Sequence, residues 1–290
     1  MNSFKTFIAL IFLIGIITCK SQKNENTIPH FNKESENISK DLNNYLKIIV
    51  VYDNNPYKEG LETAWGFSCL IQYSEKNILF DTGGNGFLLL ENMKKLDIHP
   101  NDIDIVFLSH IHGDHVGGLD SILDANQSVT LYIPKSFPKS FKNNLKKYET
   151  KVIEVKKPIQ ICENVYSTGE LGILIKEQSL IVHTDKGLII LTGCAHPEIA
   201  NIVRKTKSLL NEDVLFVMGG FHLCVKSDKQ IEKIIMDLKE LKVRYVGPCH
   251  CSGITAQQLF EREYKNNYIK IGVGKVIIPS DFSHENFIHN

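Results

Sequence analysis

The segment DIVFLSHIHGDH, residues 104–115, carries the most informative pattern in the chain. Its first half is an apolar run that predicts a buried strand, and its second half places three histidines and one aspartate within six residues. Neutral imidazole and carboxylate are ligands for zinc, iron and related metals, so the pattern predicts a metal site where the strand ends. A run of surface histidines is the weaker alternative, because a helix entry at Gly117-Gly118 follows directly.

The spacing of these side chains indicates two metal ions. His110 and His112 are two residues apart in an extended segment, so both can point toward one ion. Asp114 and His115 follow at the turn into a helix, where they can face a second ion. Gly113 permits a tight turn between the two pairs.

Composition is that of an ordinary globular protein. The 290 residues are 43 % hydrophobic and 23 % charged, which excludes a disordered chain and a multi-span membrane protein. Basic and acidic residues both number 33, so the net charge is zero and no nucleic-acid partner is expected. From Leu46 onward, apolar strands alternate with amphipathic helical stretches, which predicts an α/β fold. Stretches 128–134, 151–155 and 164–169 are predicted as strands of a second sheet.

The N-terminus predicts export. An apolar run over 7–18 is too short to span a bilayer and fits a signal peptide. The run ends at Cys19, and Ile16-Ile17-Thr18-Cys19 resembles a bacterial lipobox, which implies lipidation of Cys19; a plain signal peptide cut elsewhere, or an uncleaved anchor, is the alternative. Residues 20–45 are polar and predict a flexible tether. We therefore expect a lipoprotein-type signal peptide (1–19), a tether (20–45) and a catalytic domain (46–290), held by a lipid anchor on a bacterial membrane and facing the periplasm or exterior.

The motifs resemble those of the metallo-β-lactamase superfamily, whose signature is His-x-His-x-Asp-His. The resemblance covers residues 46–290 and implies a four-layer αββα sandwich with the metals at one edge, between the sheets. It implies that His196, in TGCAH, completes the first metal site and that His250, in PCHCSG, completes the second. Asp81, in FDTGG, matches an acidic residue that supports the metal loop or a ligand imidazole by hydrogen bonds.

One position departs from that superfamily's pattern. Most members supply an aspartate that bridges both metals, whereas the matching strand end here reads MGGFH and offers His222. Imidazole cannot bridge two metals as a carboxylate oxygen does, so we expect a less symmetric site, a weaker second metal or a longer metal–metal distance. His222 is expected either as a ligand at the second metal or as a hydrogen-bonding neighbour of the ligands. Cys249 and Cys251 are expected to point the same way, away from His250.

Six sequence strings, including TAWGFSCLI, GGFHL and PCHCSG, resemble the dihydropterin-synthase-like branch of the superfamily. Members of this branch are described as metal-dependent hydrolases, which implies that a metal-activated hydroxide attacks a small phosphoester, lactone or related ester. Asp114 is the expected catalytic residue, orienting the nucleophile and passing a proton to the leaving group. The expected cofactors are two divalent metal ions, zinc first and iron or manganese as alternatives, and the expected partner is a small-molecule substrate.

Two other functions stay open at this point. The first is a transferase of the 7,8-dihydropterin-6-methyl-4-(ribofuranosyl)aminobenzene-phosphate synthase type, which the predicted export disfavours because pterin precursors are cytoplasmic. The second is a non-catalytic, metal-binding surface lipoprotein, which the complete ligand set disfavours.

Overall fold

Seven strands form the first of two sheets in the computed structural model, which describes residues 46–283. The sheet order is β13-β1-β2-β3-β4-β5-β6. Neighbours from β13 to β3 are antiparallel, and neighbours from β3 to β6 are parallel. The strands are β1 (Lys47–Tyr52), β2 (Ser68–Tyr73), β3 (Lys76–Phe80), β4 (Ile105–Phe107), β5 (Thr130–Pro134), β6 (Lys151–Val155) and β13 (Val276–Ile277).

Six strands form the second sheet, in the order β12-β11-β10-β9-β8-β7. Neighbours from β12 to β10 are parallel, and those from β10 to β7 are antiparallel. Each sheet thus has one parallel half and one antiparallel half. The strands are β7 (Ile159–Cys162), β8 (Val165–Ser167), β9 (Leu180–Thr184), β10 (Gly187–Thr192), β11 (Val214–Gly220) and β12 (Tyr245–Cys249).

Helices cover the outer faces of both sheets. The α-helices are α1 (Gly86–Lys95), α2 (Gly113–Val116), α3 (Leu119–Ala125), α4 (Lys139–Leu145), α5 (Ile199–Leu210), α6 (Asp228–Glu240) and α7 (Ile254–Tyr264). Short 3-10 helices lie at Pro100–Asp102, His250–Ser252, Lys265–Asn267 and Pro279–Phe282. None of the helices within residues 46–283 has the length and apolar character needed to cross a bilayer.

Alternation along the strands creates three apolar layers. In β1, Ile48 and Val50 belong to a cluster shared by both sheets, whereas Ile49 packs with residues of α1 and α3. In β10, Ile189 joins the cluster between the sheets, whereas Ile190 packs with residues of α5, α6 and α7. Because successive side chains of a strand face opposite sides, this division places the layers in the order helix, sheet, sheet, helix. The predicted αββα sandwich is confirmed.

The predicted sheet assignment of two strands is wrong. β5 and β6 extend the first sheet in parallel beside β4, and of the three predicted strands only β8, within 164–169, lies in the second sheet. The connections that contain α3 and α4 allow these parallel neighbours, since parallel strands need a crossover. A buried strand has the same apolar pattern in either sheet, so the sequence alone does not distinguish them. The predicted signal peptide, tether and Cys19 lie outside the described residues, as do 284–290.

Candidate metal centre

The candidate ligands follow strands whose carboxyl ends meet at one edge of the sandwich. β3 and β4 are parallel neighbours in one sheet, and β10, β11 and β12 are parallel neighbours in the other. Left-handed backbone, which costs about 1–3 kcal/mol for a residue other than glycine, recurs at these strand ends. It occurs at Asp81, Ala195, His222 and His250, with φ between 48° and 55°. Backbone strain therefore accumulates at the edge that carries the histidines.

Asp81 fixes the loop that follows β4. Its Oδ1 accepts a hydrogen bond from the Ser109 backbone N–H at 2.7 Å. Its Oδ2 accepts from Ser109 Oγ at 2.7 Å and lies 2.7 Å from His115 Nδ1. All three residues are fully buried, so Asp81 contacts both the loop backbone and an imidazole in the way the sequence predicts.

Three histidines converge in a first cluster. His112 Nδ1 lies 3.1 Å from His110 Nε2 and 3.3 Å from His196 Nε2. Two nitrogens bound tetrahedrally to one zinc ion, each at about 2.0–2.1 Å, lie roughly 3.3–3.4 Å apart, so the spacing fits a shared ion. Ser109 Oγ lies 2.9 Å from His110 Nδ1 and leaves the opposite nitrogen facing the cluster.

The first cluster favours neutral imidazoles. Burial, with the charge of His115 beside it, holds the pKa of His110 well below its ordinary value. Burial and the neighbouring His222 lower the pKa of His196 to about 4. Metal ions bind the deprotonated ring nitrogen, so these residues are ready to act as ligands at neutral pH.

Asp114, His115 and His250 form a second cluster. His250 Nε2 lies 3.3 Å from His115 Nε2 and 3.2 Å from Asp114 Oδ2. Burial alone raises the pKa of Asp114, but the hydrogen bond from His250 and the charge of His115 outweigh it and hold the carboxylate ionised. The mixture of two imidazoles and one carboxylate suits a divalent ion such as zinc.

Two neighbours of His250 were not predicted as site residues from the sequence. Asn54 Oδ1, just beyond β1, lies 3.0 Å from His250 Nδ1, which leaves Nε2 facing the second cluster. Trp65 places its ring 4.8 Å from the His250 ring and remains 55 % exposed. It therefore covers one side of the second cluster and presents an aromatic face to solvent.

His222 lies in a third group, with Cys194 and Cys251. Its ring nitrogen and the two sulfurs are all within 4.8 Å of one another, and its ring centroid is 4.7 Å from that of His196. The structure brings six of the seven predicted ligands into the two clusters and places His222 beside the first of them. A hydrogen bond from Cys194, together with one from His222, lowers the pKa of Cys251.

The predicted common orientation of the two flanking cysteines is wrong, because Cys249 packs in the apolar cluster between the sheets whereas Cys251 Sγ groups with Cys194 and His222. β12 ends at Cys249, and the chain continues into the 3-10 helix His250–Ser252 with φ +48° at His250. The two-residue alternation of a strand therefore stops before Cys251, whose sulfur turns toward His222.

Glu177, which sequence reasoning missed, holds the loop after β10. It is 1 % exposed, and its Oε1 accepts from the backbone N–H groups of Gly193, Cys194 and Ala195 at 3.1, 3.1 and 2.9 Å. Its Oε2 accepts from the His196 N–H at 2.9 Å. Burial raises the pKa of Glu177 to about 7, against the opposing effect of the N–H groups of His196, Ala195 and Cys194 and of the charge of His115.

Gln178, the next residue, connects this region to the first sheet. The Gln178 backbone N–H donates to Ser109 O at 3.0 Å, and its Nε2 donates to Leu108 O at 2.9 Å. Glu177 and Gln178 therefore connect the loop that carries His196 with the loop that carries His110.

A cleft of about 880 Å³ opens beside His196 and His222. Segment 171–175 forms an apolar wall in which Ile173 and Leu174 are 89 % and 94 % exposed. This volume is within the range that holds small ligands, roughly 300–1,000 Å³. Among the described residues that line the cleft, none is lysine or arginine; the lining comprises 171–175, His196, Pro197, Glu198, Asn201 and His222.

Comparison with known proteins shows which sequences resemble this chain. The sequence profile of the metallo-beta-lactamase superfamily matches residues 66–196. The 7,8-dihydropterin-6-methyl-4-(beta-D-ribofuranosyl)-aminobenzene-5'-phosphate synthase of Methanocaldococcus jannaschii is 29 % identical over 270 residues, covering 76 % of this chain and 92 % of that protein. An uncharacterized protein of the same organism is 30 % identical over 267 residues, covering 80 % of this chain and 99 % of its own.

A solved structure agrees with these relatives. Tm1679, described as a metal-dependent hydrolase of the beta-lactamase superfamily, is 30 % identical and superimposes with a TM-score of 0.69. The match covers 80 % of this chain and 98 % of Tm1679. The family resemblance drawn from the motifs is confirmed: this chain belongs to the metallo-beta-lactamase superfamily and has the fold of its metal-dependent hydrolases.

Proposed function

We propose that the chain is a binuclear metal-dependent hydrolase of a small ester, lactone or phosphoester. The observation that carries the proposal is the convergence of two three-residue ligand clusters at one sheet edge, beside an open cleft. Zinc is the metal we propose first, with iron or manganese as alternatives, because imidazole and carboxylate suit all three.

The residues of the site have separate tasks in this mechanism. When bound, two divalent ions supply an activated water and stabilise the negative charge that develops on the substrate. His110, His112 and His196 would hold one ion, and Asp114, His115 and His250 the other. Asp81 and Asn54 fix the rings of the second cluster through their Nδ1 atoms.

Asp114 is the residue we propose as catalytic. Its side chain is 21 % exposed, whereas His115 and His250 beside it are buried. The low pKa of Asp114 keeps it able to accept a proton from the nucleophile. The same carboxyl can then return that proton to the leaving oxygen, as a general acid does.

The cleft favours a substrate with an uncharged, partly apolar portion. Ile173 and Leu174 offer apolar contact surface, and the lining supplies no lysine or arginine to pair with a phosphate placed there. We therefore favour an ester or lactone over a substrate that carries an additional phosphate. The synthase relative's name includes a 5'-phosphate, so the same observation disfavours the transferase alternative for this chain.

Turnover by the metal-loaded full chain tests the proposal. The probes are 4-nitrophenyl acetate, an N-acyl lactone and bis(4-nitrophenyl) phosphate, and the variant is Asp114→Ala. We expect turnover of at least one probe, its loss in Asp114→Ala, and retention of the metal in the first cluster. Asp120→Asn is the matched control, because Asp120 is an exposed aspartate on α3 whose ion pair is with Lys147.

Other results would overturn the proposal. Full metal occupancy without turnover of any probe would favour a non-catalytic metal-binding protein. Joining of a dihydropterin to an aminobenzene phosphate would favour the transferase. Undiminished turnover in Asp114→Ala would remove Asp114 from the catalytic role.

We also propose that the protein is exported and anchored through a lipid on Cys19. The supporting features are the short apolar run over 7–18 and the polar stretch over 20–45. Radiolabelled palmitate should label the wild-type protein in a bacterial host but not Cys19→Ser. Equal labelling of both proteins would refute the anchor.

A further inference from the structure

Within residues 46–283, the two candidate metal clusters share no carboxylate. Among the described residues that form the candidate metal groups, Asp114 is the one carboxylate, and it lies in the second cluster. The end of β11 supplies His222, which groups with Cys194 and Cys251 instead. With no shared carboxylate among these groups, the two ions would be held near each other by a solvent atom or by another protein atom.

Cys194 contacts the second cluster and lies close to the first. Its Sγ lies 3.3 Å from His115 Nε2, a ligand atom of the second cluster. The same sulfur lies within 4.8 Å of a ring nitrogen of His110, from the first cluster, and of His115. A nitrogen at about 2.0–2.1 Å and a thiolate at about 2.3 Å from one zinc ion lie roughly 3.5 Å apart, so the contact with His115 has the expected length.

The backbone holds this sulfur in place. Cys194 is 3 % exposed, and its N–H donates to Glu177. A Cβ on Gly220 would lie 2.3 Å from Gly193 O and 2.7 Å from Cys251 Sγ. The glycine thus lets β11 pass close to the cysteine loop.

We propose that the Cys194 thiolate is a metal ligand shared by the two clusters, in the place of the missing bridging carboxylate. This inference rests on the proposed two-metal site. On metal binding the thiol proton is released to solvent and a sulfur–metal bond forms. A thiolate ligand favours zinc or iron over hard, oxygen-preferring cations such as magnesium.

Cys251 is the competing sulfur and therefore the first internal comparison. Its Sγ belongs to the group with Cys194 and His222, but no group joins it to His110 or His115 among the described residues. Cys251 therefore supports the cysteine loop rather than binding a metal, and its Sγ lies 3.8 Å from Cys194 O.

Cobalt substitution tests the assignment independently of activity. The full chain is loaded with two equivalents of Co²⁺, and the sulfur-to-cobalt charge-transfer band in the near ultraviolet is recorded. The band should be present in the wild type, absent in Cys194→Ser and retained in Cys251→Ser. Cys162→Ser, which changes a half-buried cysteine on edge strand β7, is the matched control and should retain it.

The outcomes separate this inference from the proposed function. Two bound cobalt ions without a charge-transfer band would overturn the thiolate bridge and leave the hydrolase intact. A band lost only in Cys251→Ser would assign the ligand to Cys251 and overturn the role of Cys194. Failure of the wild type to bind metal would overturn both. Should Cys194→Ser not fold, X-ray absorption of the zinc-loaded wild type decides, since a sulfur scatterer at about 2.3 Å is required at both ions.

Discussion

Replacing Glu177 by glutamine would separate the charge of this buried carboxylate from its shape. In the wild type its two oxygens accept four backbone N–H groups from the loop that carries His196. The glutamine amide offers one oxygen and one NH₂ group. If the oxygen remains with the three donors at Oε1, the NH₂ group faces the His196 N–H, and that donor loses its acceptor.

Two opposing free energies follow from this change. An unpaired buried N–H costs about 1–3 kcal/mol. Removal of the buried charge stabilises the folded state. The pKa of Glu177 is about 7 against an ordinary 4.5, so burial of its ionised carboxyl costs about 3 kcal/mol at 1.36 kcal/mol per pKa unit. The net free energy of unfolding should therefore change little at neutral pH, while the position of His196 changes. Loss of such a supporting contact weakens metal affinity by about 10–100-fold.

The assay is competition for zinc between the protein and a chromophoric chelator. We expect Glu177→Gln to weaken zinc binding at the first cluster and to leave zinc binding at the second cluster unchanged. Glu170→Gln is the matched control, because Glu170 lies on the same connection but accepts from the Ser136 N–H. Unchanged zinc affinity of the first cluster, or equal weakening of both steps, would refute the reasoning.

The pH dependence of stability provides a second readout for the same variant. The native pKa of Glu177 is raised, so the folded state binds the proton more tightly than the unfolded state does. The contribution of Glu177 to the free energy of unfolding is fully present below the ordinary pKa of about 4.5 and is lost as pH rises toward 7. Metal-free wild type should therefore lose about 3 kcal/mol relative to Glu177→Gln across this interval, as measured by urea unfolding. Parallel pH profiles would contradict the assignment.

Three further predictions concern the second cluster and the cleft. Asp81→Asn should weaken the second metal about 10–100-fold, because His115 loses its charged partner; chelator competition measures this, and a selective loss of the first metal would contradict it. Burial lowers the pKa of His115, but the Asp81 carboxylate outweighs burial and the pKa is raised overall. Protons should therefore displace the second metal before the first as the pH falls. Dialysis against buffers of graded pH measures the release, and simultaneous loss of both metals would contradict the prediction. Trp65→Ala should raise KM more than it lowers kcat, since the ring flanks His250 without occupying a ligand position; an unchanged KM would place the ring outside the substrate path.

The sequence was most informative where chemistry concentrates in a short segment. The HIHGDH motif predicted two ligand pairs, and the structure divides His110 and His112 from Asp114 and His115 into separate clusters. Asp81 was predicted from its match to an acidic residue of the superfamily, and its carboxylate does accept a hydrogen bond from the loop after β4.

Other features depend on contacts between distant segments. Glu177 is a single acidic residue in a polar stretch, the usual pattern of an exposed turn, yet the packing of two loops buries it. The roles of Asn54 and Cys194 likewise depend on which strand ends are adjacent, since neither residue belongs to a ligand motif by spacing alone. The sheet membership of β5 and β6 was not predictable because their apolar pattern suits either sheet.

Each candidate metal cluster takes side chains from both sheets, and under the proposed function this arrangement has a consequence for assembly of the protein in the cell. His196 and His250 follow strands of the second sheet, whereas the other four ligands follow β4 of the first. A chain with one sheet folded holds only part of each ligand set, so tight metal uptake must wait until the two halves dock. Metal bound only by the docked form shifts the equilibrium toward it by RT ln(1 + [M]/Kd). Metal loading would thus act as a checkpoint for maturation, and metal starvation would leave the two halves of the sandwich more easily separated and digested by proteases.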